Sequence, residues 1–324
     1  MIYFDEKDLD QLDLNWSATI QTIEDAVKCL HINEFVQPIK PYLRFNDPKN
    51  RIIAMPAYLG GAFNKAGIKW IASFPKNIES QIPRAHSVLI LNDATTGEPI
   101  MIINTPKLSV IRTASVSGLV IKYYLLKRKR GQLKVGIIGF GPIGQFHAKM
   151  ICDQLAERVQ EINVFDIQKT TVDHLDQNVK EKINIVDSWQ EAYQQADILI
   201  TSTVSSAPYI DLAPKSGSLH LNVSLRDYKV DTYDFFKSGI IVDSWDEVCR
   251  ENTDIEMMHL HKGLSKSETN TLVDVTVDNV LENHPVEEPI FFNPMGMAIF
   301  DIAIGSYYYN CFQRKLNSQL VTTY

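Results

Sequence analysis

Three glycines followed by a distant carboxylate are the residues of this sequence best suited to bind a nucleotide. Gly139, Gly141 and Gly144 lie in the run GFGPIG, between the apolar run LKVGII and a predicted helix that begins near Pro142. In such a loop the first glycine permits a tight turn, the second lets a pyrophosphate approach the backbone, and the third lets helix and strand pack closely. The amino terminus of the helix would then face the phosphates.

Asp166 indicates which nucleotide is bound. It ends the next predicted strand, where a carboxylate can accept hydrogen bonds from both adenosine ribose hydroxyls and would repel a 2′-phosphate. The sequence therefore predicts NAD rather than NADP, with a glycine turn used only for packing as the alternative. The candidate cofactor-binding residues are Thr113, Gly139, Phe140, Gly141, Pro142, Ile143, Gly144, Asp166, Thr201, Ser202, Thr203, Asn222, Ser224 and Met295. Those at the two later strand ends could equally be ordinary loop residues.

Three cations are candidates for an anion site: Arg44 in KPYLR, Lys69 in GIKW and Arg112 in SVIRTAS. Lys69 and Arg112 are flanked by apolar residues, which predicts a partly buried setting where a charge needs a partner. Isolated basic residues are otherwise mostly exposed or paired on the surface. From the residues alone, whether the three converge stays open.

The elements that must position these residues form two predicted domains, because 324 residues exceed the size of one growing core. Residues 17–33 have the apolar spacing of a helix capped by Ser17, and residues 51–103 form short β-rich runs typical of an antiparallel sheet. A long helix should follow, and its final KRKR run at 127–130 is interpreted as a helix end rather than a binding patch.

From Leu133 onward, strands alternate with helices, which predicts a doubly wound parallel sheet. The expected fold class is α/β, with a Rossmann-type NAD-binding domain at 118–295. A second, α+β domain for substrate binding and dimerisation is expected at 1–117, completed by 296–324. The apolar run FFNPMGMAIFDIAIGSYYYNCF should end in a helix that packs on that domain.

Composition excludes several classes of function. A net charge of -7 argues against nucleic-acid binding, and no apolar run approaches the length of a membrane span. The acidic start favours a protein that stays in the cytoplasm. Four separated cysteines with no CxxC pair support neither a disulfide framework nor zinc, and His259 and His261 would point to different helix faces, so no metal site is predicted.

The motifs RIIAMP, GIKW, LILND, IRTAS, GFGPIG and NPMGMAIFDI together resemble the ornithine cyclodeaminase and mu-crystallin family over essentially the whole chain. The resemblance implies that Arg44, Lys69 and Arg112 bind a substrate α-carboxylate, that Asp227 in HLNVSLRD is a catalytic base, and that Lys69 is also a catalytic residue. Without the family, Asp227 would be taken for a turn residue. The family also implies a homodimer formed through the first domain. Further substrate carboxylates would need other donors, for which Arg84 and Lys40 are candidates.

Two departures narrow the expected reaction. Cyclodeaminases resemble one another in a glutamate three residues before the proline of an ELMP motif, where this sequence has Ile53, and in a GxDxxGK pattern replaced here by LRDYKVD. The sequence is more similar to the branch that forms 2,3-diaminopropionate for a siderophore or antibiotic. The resemblance then implies NAD-dependent oxidative hydrolysis of N-((2S)-2-amino-2-carboxyethyl)-L-glutamate to 2-oxoglutarate and L-2,3-diaminopropionate. Alternatives are ornithine cyclodeaminase, ketimine reductase or alanine dehydrogenase activity, or a noncatalytic nicotinamide-binding protein.

Overall fold

The computed structural model describes residues 1–47, 49–128 and 131–321. The chain divides into two compact units: the first comprises Met1–Arg112 and the chain from Met297 onward, and the second comprises Thr113–Gly296. The boundaries thus fall at 112/113 and 296/297, against the predicted 117/118 and 295/296. No helix in these described ranges is long and apolar enough to cross a membrane.

The first unit is built on a largely antiparallel sheet. Its strands are β1 (Ile2–Phe4), β2 (Phe35–Val36), β3 (Tyr42–Leu43), β4 (Arg51–Leu59), β5 (Lys65–Ser73), β6 (Ala85–Asp93) and β7 (Pro99–Asn104). Their order is β1-β7-β6-β5-β4-β2, with β3 also paired to β4. The neighbours from β4 to β7 are antiparallel, as predicted, and β1 pairs with β7 in parallel.

The helices of this unit are α1 (Glu6–Asp10), α2 (Trp16–His31), the start of α3 (Lys107–Lys127) and α11 (Ala298–Val321), with a 3-10 turn at Pro75–Ser80. Helix α11 packs against α2 and against strands β4, β5 and β6. The strands present alternate side chains to it, such as Met55, Ala57 and Leu59, all buried. Period-two patterning on the strands thus meets the mainly apolar first half of α11.

The second unit is a parallel sheet, which confirms the predicted Rossmann-type class. Its strands are β8 (Leu133–Ile138), β9 (Val159–Phe165), β10 (Ile183–Ile185), β11 (Ile198–Thr201), β12 (Leu219–Asn222), β13 (Ile240–Val242), β14 (Asn270–Thr271) and β15 (Ile290–Asn293). Their order is β10-β9-β8-β11-β12-β15-β13-β14. From β8 the chain adds β9 and β10 on one side of that strand and then crosses to its other side to add β11 and β12. The switch point at which such sheets bind ligands therefore lies between β8 and β11.

Helices connect these strands as crossovers. They are α4 (Pro142–Leu155), α5 (Gln177–Lys180), α6 (Trp189–Gln194), α7 (Tyr233–Phe236), α8 (Trp245–Val248), α9 (Asp254–Lys262) and α10 (Leu272–Thr276), with 3-10 turns at Ala156–Arg158, Val230–Thr232, Lys266–Glu268 and Val280–Glu282. The remainder of α3 also belongs to this unit. Between sheet and helices lies an apolar core that includes Tyr193, Tyr228, Phe236 and Phe291.

Three local predictions need correction or restriction. The first long helix begins at Trp16 and is capped by Asn15, whose side chain accepts a hydrogen bond from the Ala18 N–H at 2.9 Å, so Ser17 lies inside the helix. The start of the FFNP run is strand β15 of the second unit, a strand that was not among those predicted. Of the KRKR run, Arg128 follows the end of α3, whereas 129 and 130 lie outside the described residues.

Candidate functional site

The glycine loop of the second unit has the geometry that a dinucleotide site requires. Gly139 adopts a φ of +90°, and a Cβ there would lie 2.8 Å from backbone atoms of Ser202. A Cβ on Gly144 would lie 2.3 Å from the Gly139 carbonyl oxygen, whereas one on Gly141 would meet no atom within 4 Å. Two glycines are therefore required by the fold itself, while the middle one leaves open space in front of the loop.

Helix α4 begins directly at this loop, with Gly141 as its N-cap and Pro142 in its first turn. Its buried face is formed by Gly144, His147, Ala148, Met150, Ile151 and Cys152, whereas Ile143 and Phe146 are only half-buried. His147 bonds to the Ile143 carbonyl at 2.7 Å and to the Ser117 hydroxyl at 2.8 Å. Burial lowers the pKa of His147 to about 4, so it is a neutral packing residue.

Asp166 lies against the same loop. Its Oδ2 accepts a hydrogen bond from the Phe140 N–H at 2.6 Å, and its Oδ1 accepts one from the Gln168 N–H at 2.8 Å. On the other side, the Ser202 hydroxyl donates to the Gly139 carbonyl at 2.7 Å. The predicted carboxylate and the loop thus form one constellation at the carboxyl ends of β8, β9 and β11.

Three central strands end in polar side chains that bond to one another. Thr201, Asn222 and Asn293 end β11, β12 and β15, and all three are fully buried. Thr201 Oγ1 donates to Asn222 Oδ1 at 3.0 Å, and Asn222 Nδ2 donates to Asn293 Oδ1 at 2.7 Å. Buried amides of this kind are tolerated because their polar atoms are paired.

Asp227 lies in the loop after β12 and is completely buried. The Thr203 hydroxyl donates to its Oδ1 at 2.6 Å, and the Ser224 hydroxyl donates to its Oδ2. Burial raises the pKa of Asp227 above its ordinary value, and the two hydroxyl donors oppose that rise only in part. The buried Tyr209 hydroxyl interacts with the same carboxylate but has no partner of good hydrogen-bond geometry among the described residues.

The backbone beside Asp227 is held in an uncommon conformation. Leu225 has a φ of +64°, which is rare for a residue with a branched side chain. Its N–H donates to Asn222 Oδ1 at 3.1 Å, and its carbonyl accepts from the Asp254 N–H at 2.8 Å. Such strain persists only where neighbouring bonds fix it, so the loop holds Asp227 in a defined place.

A second carboxylate, absent from the sequence prediction, supports this loop. Asp254, the first residue of α9, accepts hydrogen bonds through Oδ2 from the Asn222 amide at 2.9 Å and from the N–H groups of Asp227 and Tyr228 at 3.1 and 3.2 Å. Burial raises the pKa of Asp254 to about 7, and the nearby Asp227 charge adds to the rise. Two buried carboxyl groups of unusually low acidity, one in the loop and one at the start of α9, therefore lie close together.

In the first unit, two of the predicted cations share one carboxylate. Lys69 on β5 contacts Asp301 Oδ2 at 2.8 Å, and Arg112 Nε on α3 contacts Asp301 Oδ1 at 3.1 Å. All three side chains are buried, and Lys69 also donates to the Ser109 hydroxyl at 3.2 Å. Strand β5 and helices α3 and α11 thereby bring residues 232 positions apart into one cluster.

The cluster carries more positive than negative charge. It has Lys69 and Arg112 on one carboxylate, and the charge of buried Lys40 also acts on Lys69. Burial, together with Arg112 and Lys40, lowers the pKa of Lys69 to about 8, even though Asp301 works in the other direction. Burial would raise the pKa of Asp301, but Arg112 and Lys69 outweigh it and hold that pKa below its ordinary value. One ionised carboxylate, Asp301, is thus shared by two cations.

Four further predicted residues occupy the following places. Arg44 follows β3 with its guanidinium 5.4 Å from the ring centre of Tyr42, and Arg84 precedes β6. Thr113 lies half-buried on α3 as the first residue of the second unit. The N–H of Met295 donates to Asp243 Oδ1 at 3.0 Å, so this residue is fixed by the carboxylate that follows β13.

Asp301 is the residue whose role the sequence signals most clearly in retrospect. It is the one charge in the apolar stretch MAIFDIAIG, and a carboxylate on a buried helix face needs a cationic partner. The sequence gives a weaker signal for Asp254 and Asn293. Asp254 has the pattern of an ordinary acidic residue in the first turn of a helix after the Thr253 cap, and Asn293 that of a loop residue before a proline.

Comparisons with known proteins cover the whole chain. The sequence profile of the ornithine cyclodeaminase/mu-crystallin family matches residues 8–315. The chain is 32% identical to N-((2S)-2-amino-2-carboxyethyl)-L-glutamate dehydrogenase of Staphylococcus aureus, over 97% of this chain and 96% of that protein. It is 23% identical to alanine dehydrogenase of Archaeoglobus fulgidus, over 95% and 94%.

Solved structures show the same fold. The Δ1-pyrroline-2-carboxylate reductase of Thermococcus litoralis, solved in complex with NADH and L-proline, superposes with a TM-score of 0.84 at 22% identity, over 97% of this chain and 98% of that chain. An archaeal alanine dehydrogenase dimer with bound NAD gives a TM-score of 0.81 at 21% identity, over 97% of each chain. From the profile match and the first relative, the chain belongs to the ornithine cyclodeaminase/mu-crystallin family.

Proposed function

We propose that this protein is an NAD-dependent amino-acid dehydrogenase that acts on N-((2S)-2-amino-2-carboxyethyl)-L-glutamate. The conjugate, NAD and water would give 2-oxoglutarate, L-2,3-diaminopropionate, NADH and a proton. The carbon–nitrogen bond of the glutamyl part is first oxidised to an imine and then hydrolysed. Support comes from the Staphylococcus aureus relative, whose name carries this activity. The diaminopropionate would serve as a building block of a siderophore or antibiotic.

The glycine loop and Asp166 fit NAD. Gly141 leaves the space in front of the loop open, and α4 begins there with its unpaired N–H groups, which suit a pyrophosphate. Asp166 already accepts a hydrogen bond from the loop, which places a negative charge where a 2′-phosphate of NADP would be repelled. NAD, when bound, would accept a hydride from the substrate α-carbon.

The observation that carries the proposal is the charge excess around Asp301. Lys69 and Arg112 bring two positive charges to one carboxylate in a buried setting, and buried charges are costly unless they are balanced. An incoming α-carboxylate would lower this imbalance, and an arginine with free guanidinium nitrogens can bind it with two parallel hydrogen bonds. The cluster would therefore fix the substrate by its carboxylate, which is catalysis by positioning.

Asp227 would act as the base. A carboxylate with a raised pKa is a better proton acceptor near neutral pH than an ordinary one. It would take the proton from the substrate nitrogen and later help to orient the water that adds to the imine. Thr203 and Ser224 hold its two oxygens, so the group keeps one orientation during these steps.

The residue at position 53 favours an acidic conjugate over ornithine. Ile53 lies two residues from Met55, which pairs with Lys69, so Ile53 and Lys69 share one face of the sheet. A glutamate there could bind a side-chain amine, whereas an isoleucine offers no charge to one. Ornithine cyclisation is therefore the weaker candidate.

The direct test mixes the protein with NAD and the synthetic conjugate and follows NADH by absorbance at its characteristic wavelength, with both organic products identified by mass spectrometry. Ornithine, alanine and proline with NAD serve as competing substrates, and NADP as the competing cofactor. NADH formation with one of these competitors and none with the conjugate would reject the proposed substrate. Absence of NADH with every substrate, despite NAD binding, would favour a noncatalytic protein.

Asp227→Asn tests the assigned base. The amide is isosteric but cannot take the proton, so we expect kcat to fall by about 10²–10⁴-fold, with NAD affinity unchanged within error. Asp211→Asn, which changes an exposed aspartate of the same unit, is the matched control and should leave kcat as it is. Wild-type turnover in Asp227→Asn would contradict the role of Asp227.

We further infer that a second copy of the chain covers the outer face of the sheet in the first unit. Trp70 is 42% exposed there and Val36 is 63% exposed, and a shallow groove lined by Pro56, Tyr58 and Ile68 lies on that face. Apolar side chains of this size in one patch are typical of a subunit interface. Sedimentation analysis of the wild type and of Trp70→Glu should show a dimer and a monomer respectively.

A further inference from the structure

A second group of cations lies on the sheet face that carries Lys69. Lys69 pairs with Met55, and Arg51 lies four residues before Met55 on the same strand, so the side chains of Lys69 and Arg51 point to the same face. Arg44 follows Leu43, which pairs with Ile52, so the next position of the ladder sets Arg44 opposite Arg51. The guanidinium carbons of Arg44 and Arg51 lie 5.4 and 5.8 Å from the ring centre of Tyr42.

Arg84 completes the group. It precedes β6, whose first residue Ala85 pairs with Ser73, and Ser73 also pairs with Arg51. Its carbonyl accepts from the Phe74 N–H at 2.9 Å, which fixes the backbone at the end of the sheet. Burial, and then the charge of Arg51, lowers the pKa of Arg84, so the Arg84 guanidinium is desolvated and lies near enough to Arg51 to be affected by its charge.

Neither Arg51 nor Arg84 has a counter-ion in the described part of the chain. No carboxylate within 4 Å forms an ion pair with Arg51 or Arg84, and the Nε of Arg84 is inaccessible to solvent and has no hydrogen-bond partner there. A desolvated guanidinium group near a second positive charge is unfavourable unless an anion joins them. Guanidinium groups bind carboxylates with two parallel hydrogen bonds, so a carboxylate is the anion they suit best.

We propose that Arg51 and Arg84 form a second anion subsite, which binds a substrate carboxylate remote from the one held by Lys69 and Arg112. This inference rests on the proposed function and adds its specificity determinant. Four residues of strand separate Arg51 from Met55 by about 13 Å along the backbone, and the long side chains of Lys69 and Arg51 shorten that gap between their charged ends. Ile53 lies between the two cationic groups, so a ligand spanning them would be anionic at both ends and apolar in the middle.

The test measures ligand binding by titration calorimetry. The protein is saturated with NADH, because the reduced cofactor cannot oxidise the substrate. The ligands are the conjugate, an analogue in which a methyl group replaces the γ-carboxylate, and N-(2-aminoethyl)-L-glutamate, which lacks the carboxylate of the diaminopropionyl part. Wild type should bind the conjugate about 10- to 100-fold more tightly than one of the two analogues. That analogue identifies which carboxylate the subsite receives.

Arg51→Gln and Arg84→Gln should remove this preference and leave the affinity for that same analogue nearly unchanged. Arg84→Lys, which keeps a charge but not the paired hydrogen bonds, should give an intermediate value and guards against loss of folding, monitored by circular dichroism. Arg314→Gln, an exposed arginine of the same unit, is the control. Equal affinities of wild type for all three ligands, or a preference that survives in both Gln variants, would overturn the subsite. Preferential binding without NADH formation from NAD would instead overturn the proposed reaction and leave the subsite standing.

Discussion

Replacing Asp301 by Asn is the sharpest test of how the first unit is held together. The amide keeps the size of the side chain but removes the only negative charge that the described contacts give to Lys69 and Arg112. Two buried cations would then face each other without a carboxylate between them. We expect the variant to fold less stably than wild type at neutral pH.

The size of the loss follows from the burial of the pair. Removing one partner of a buried ion pair costs about 3–5 kcal/mol, because the remaining charge stays desolvated. Lys69 and Asp301 have side-chain exposures of 2% and 0%, so solvent screening reduces this very little. For a cooperative unit of about 140 residues, such a loss corresponds to a melting temperature lower by roughly 10–17 °C.

The pH dependence of the loss is also fixed by the structure. The pKa of Lys69 is about 8 in the folded state and 10.5 ordinarily, so the unfolded chain binds more protons between these values and wild-type stability rises with pH there. The charge of Asp301 raises the pKa of Lys69. In Asp301→Asn the pKa of Lys69 should therefore fall further, and the lysine should become neutral at a lower pH. The stability gap between the two proteins should therefore be largest at pH 7 and narrower at pH 9.5.

Urea unfolding followed by tryptophan fluorescence measures this gap, since Trp16 and Trp70 report on the first unit. Asp25→Asn, which breaks the exposed pair with Lys28, is the matched control and should change the free energy of unfolding by less than about 1 kcal/mol. A free energy for Asp301→Asn within 1 kcal/mol of wild type at pH 7, or a gap that widens at high pH, would refute the assignment of Asp301 as the shared counter-ion.

Three further results are expected. If only protonated Lys69 binds the substrate carboxylate, the dissociation constant of the conjugate should rise about tenfold between pH 7 and pH 9, because the pKa of Lys69 is about 8. Calorimetry measures this change, and a dissociation constant that does not vary with pH would exclude Lys69 from the site. Gly141→Ala should keep the melting temperature but weaken NAD binding, whereas Gly144→Ala should lower the melting temperature, since its Cβ would lie 2.3 Å from the Gly139 carbonyl oxygen; equal melting temperatures would contradict this packing. The pKa of Asp254 is raised from 3.8 to about 7, so its contribution to wild-type stability is lost as pH rises from about 4 to 7. Asp254→Asn should remove this pH dependence of the free energy of unfolding, measured by urea titrations at pH 5 and 7.5. An unchanged pH dependence would mean that Asp254 is ionised throughout.

Local signals predicted the parts of the fold that depend on neighbouring residues. The glycine loop, its strand and its helix are contiguous, so turn geometry and apolar spacing were enough to identify them. The class of the second unit followed from the alternation of apolar runs. Lys69 and Arg112 were correctly expected to be buried next to a partner, because each is enclosed by apolar neighbours.

The remaining features depend on residues far apart in the chain. Asp301 reaches Lys69 across 232 positions, and no local pattern pairs the two. Nothing in the sequence around Arg51 indicates that it lies near Arg84, because their proximity depends on the register of three strands. Strand β15 is only four residues long and precedes a proline, so its apolar run could not be told from the start of the following helix.

The position of β15 has a consequence for how the protein is made. This strand comes late in the chain, yet it lies between β12 and β13 and bonds to both. While the ribosome is still adding residues before Ile290, those two earlier strands have no neighbour on the side that β15 will fill, and open strand edges invite pairing with other chains. Helix α11 emerges later still and covers the sheet of the first unit. Neither unit can therefore be completed before the segment from Ile290 onward has been made, and a nascent chain stalled near residue 289 should depend on chaperones to stay monomeric.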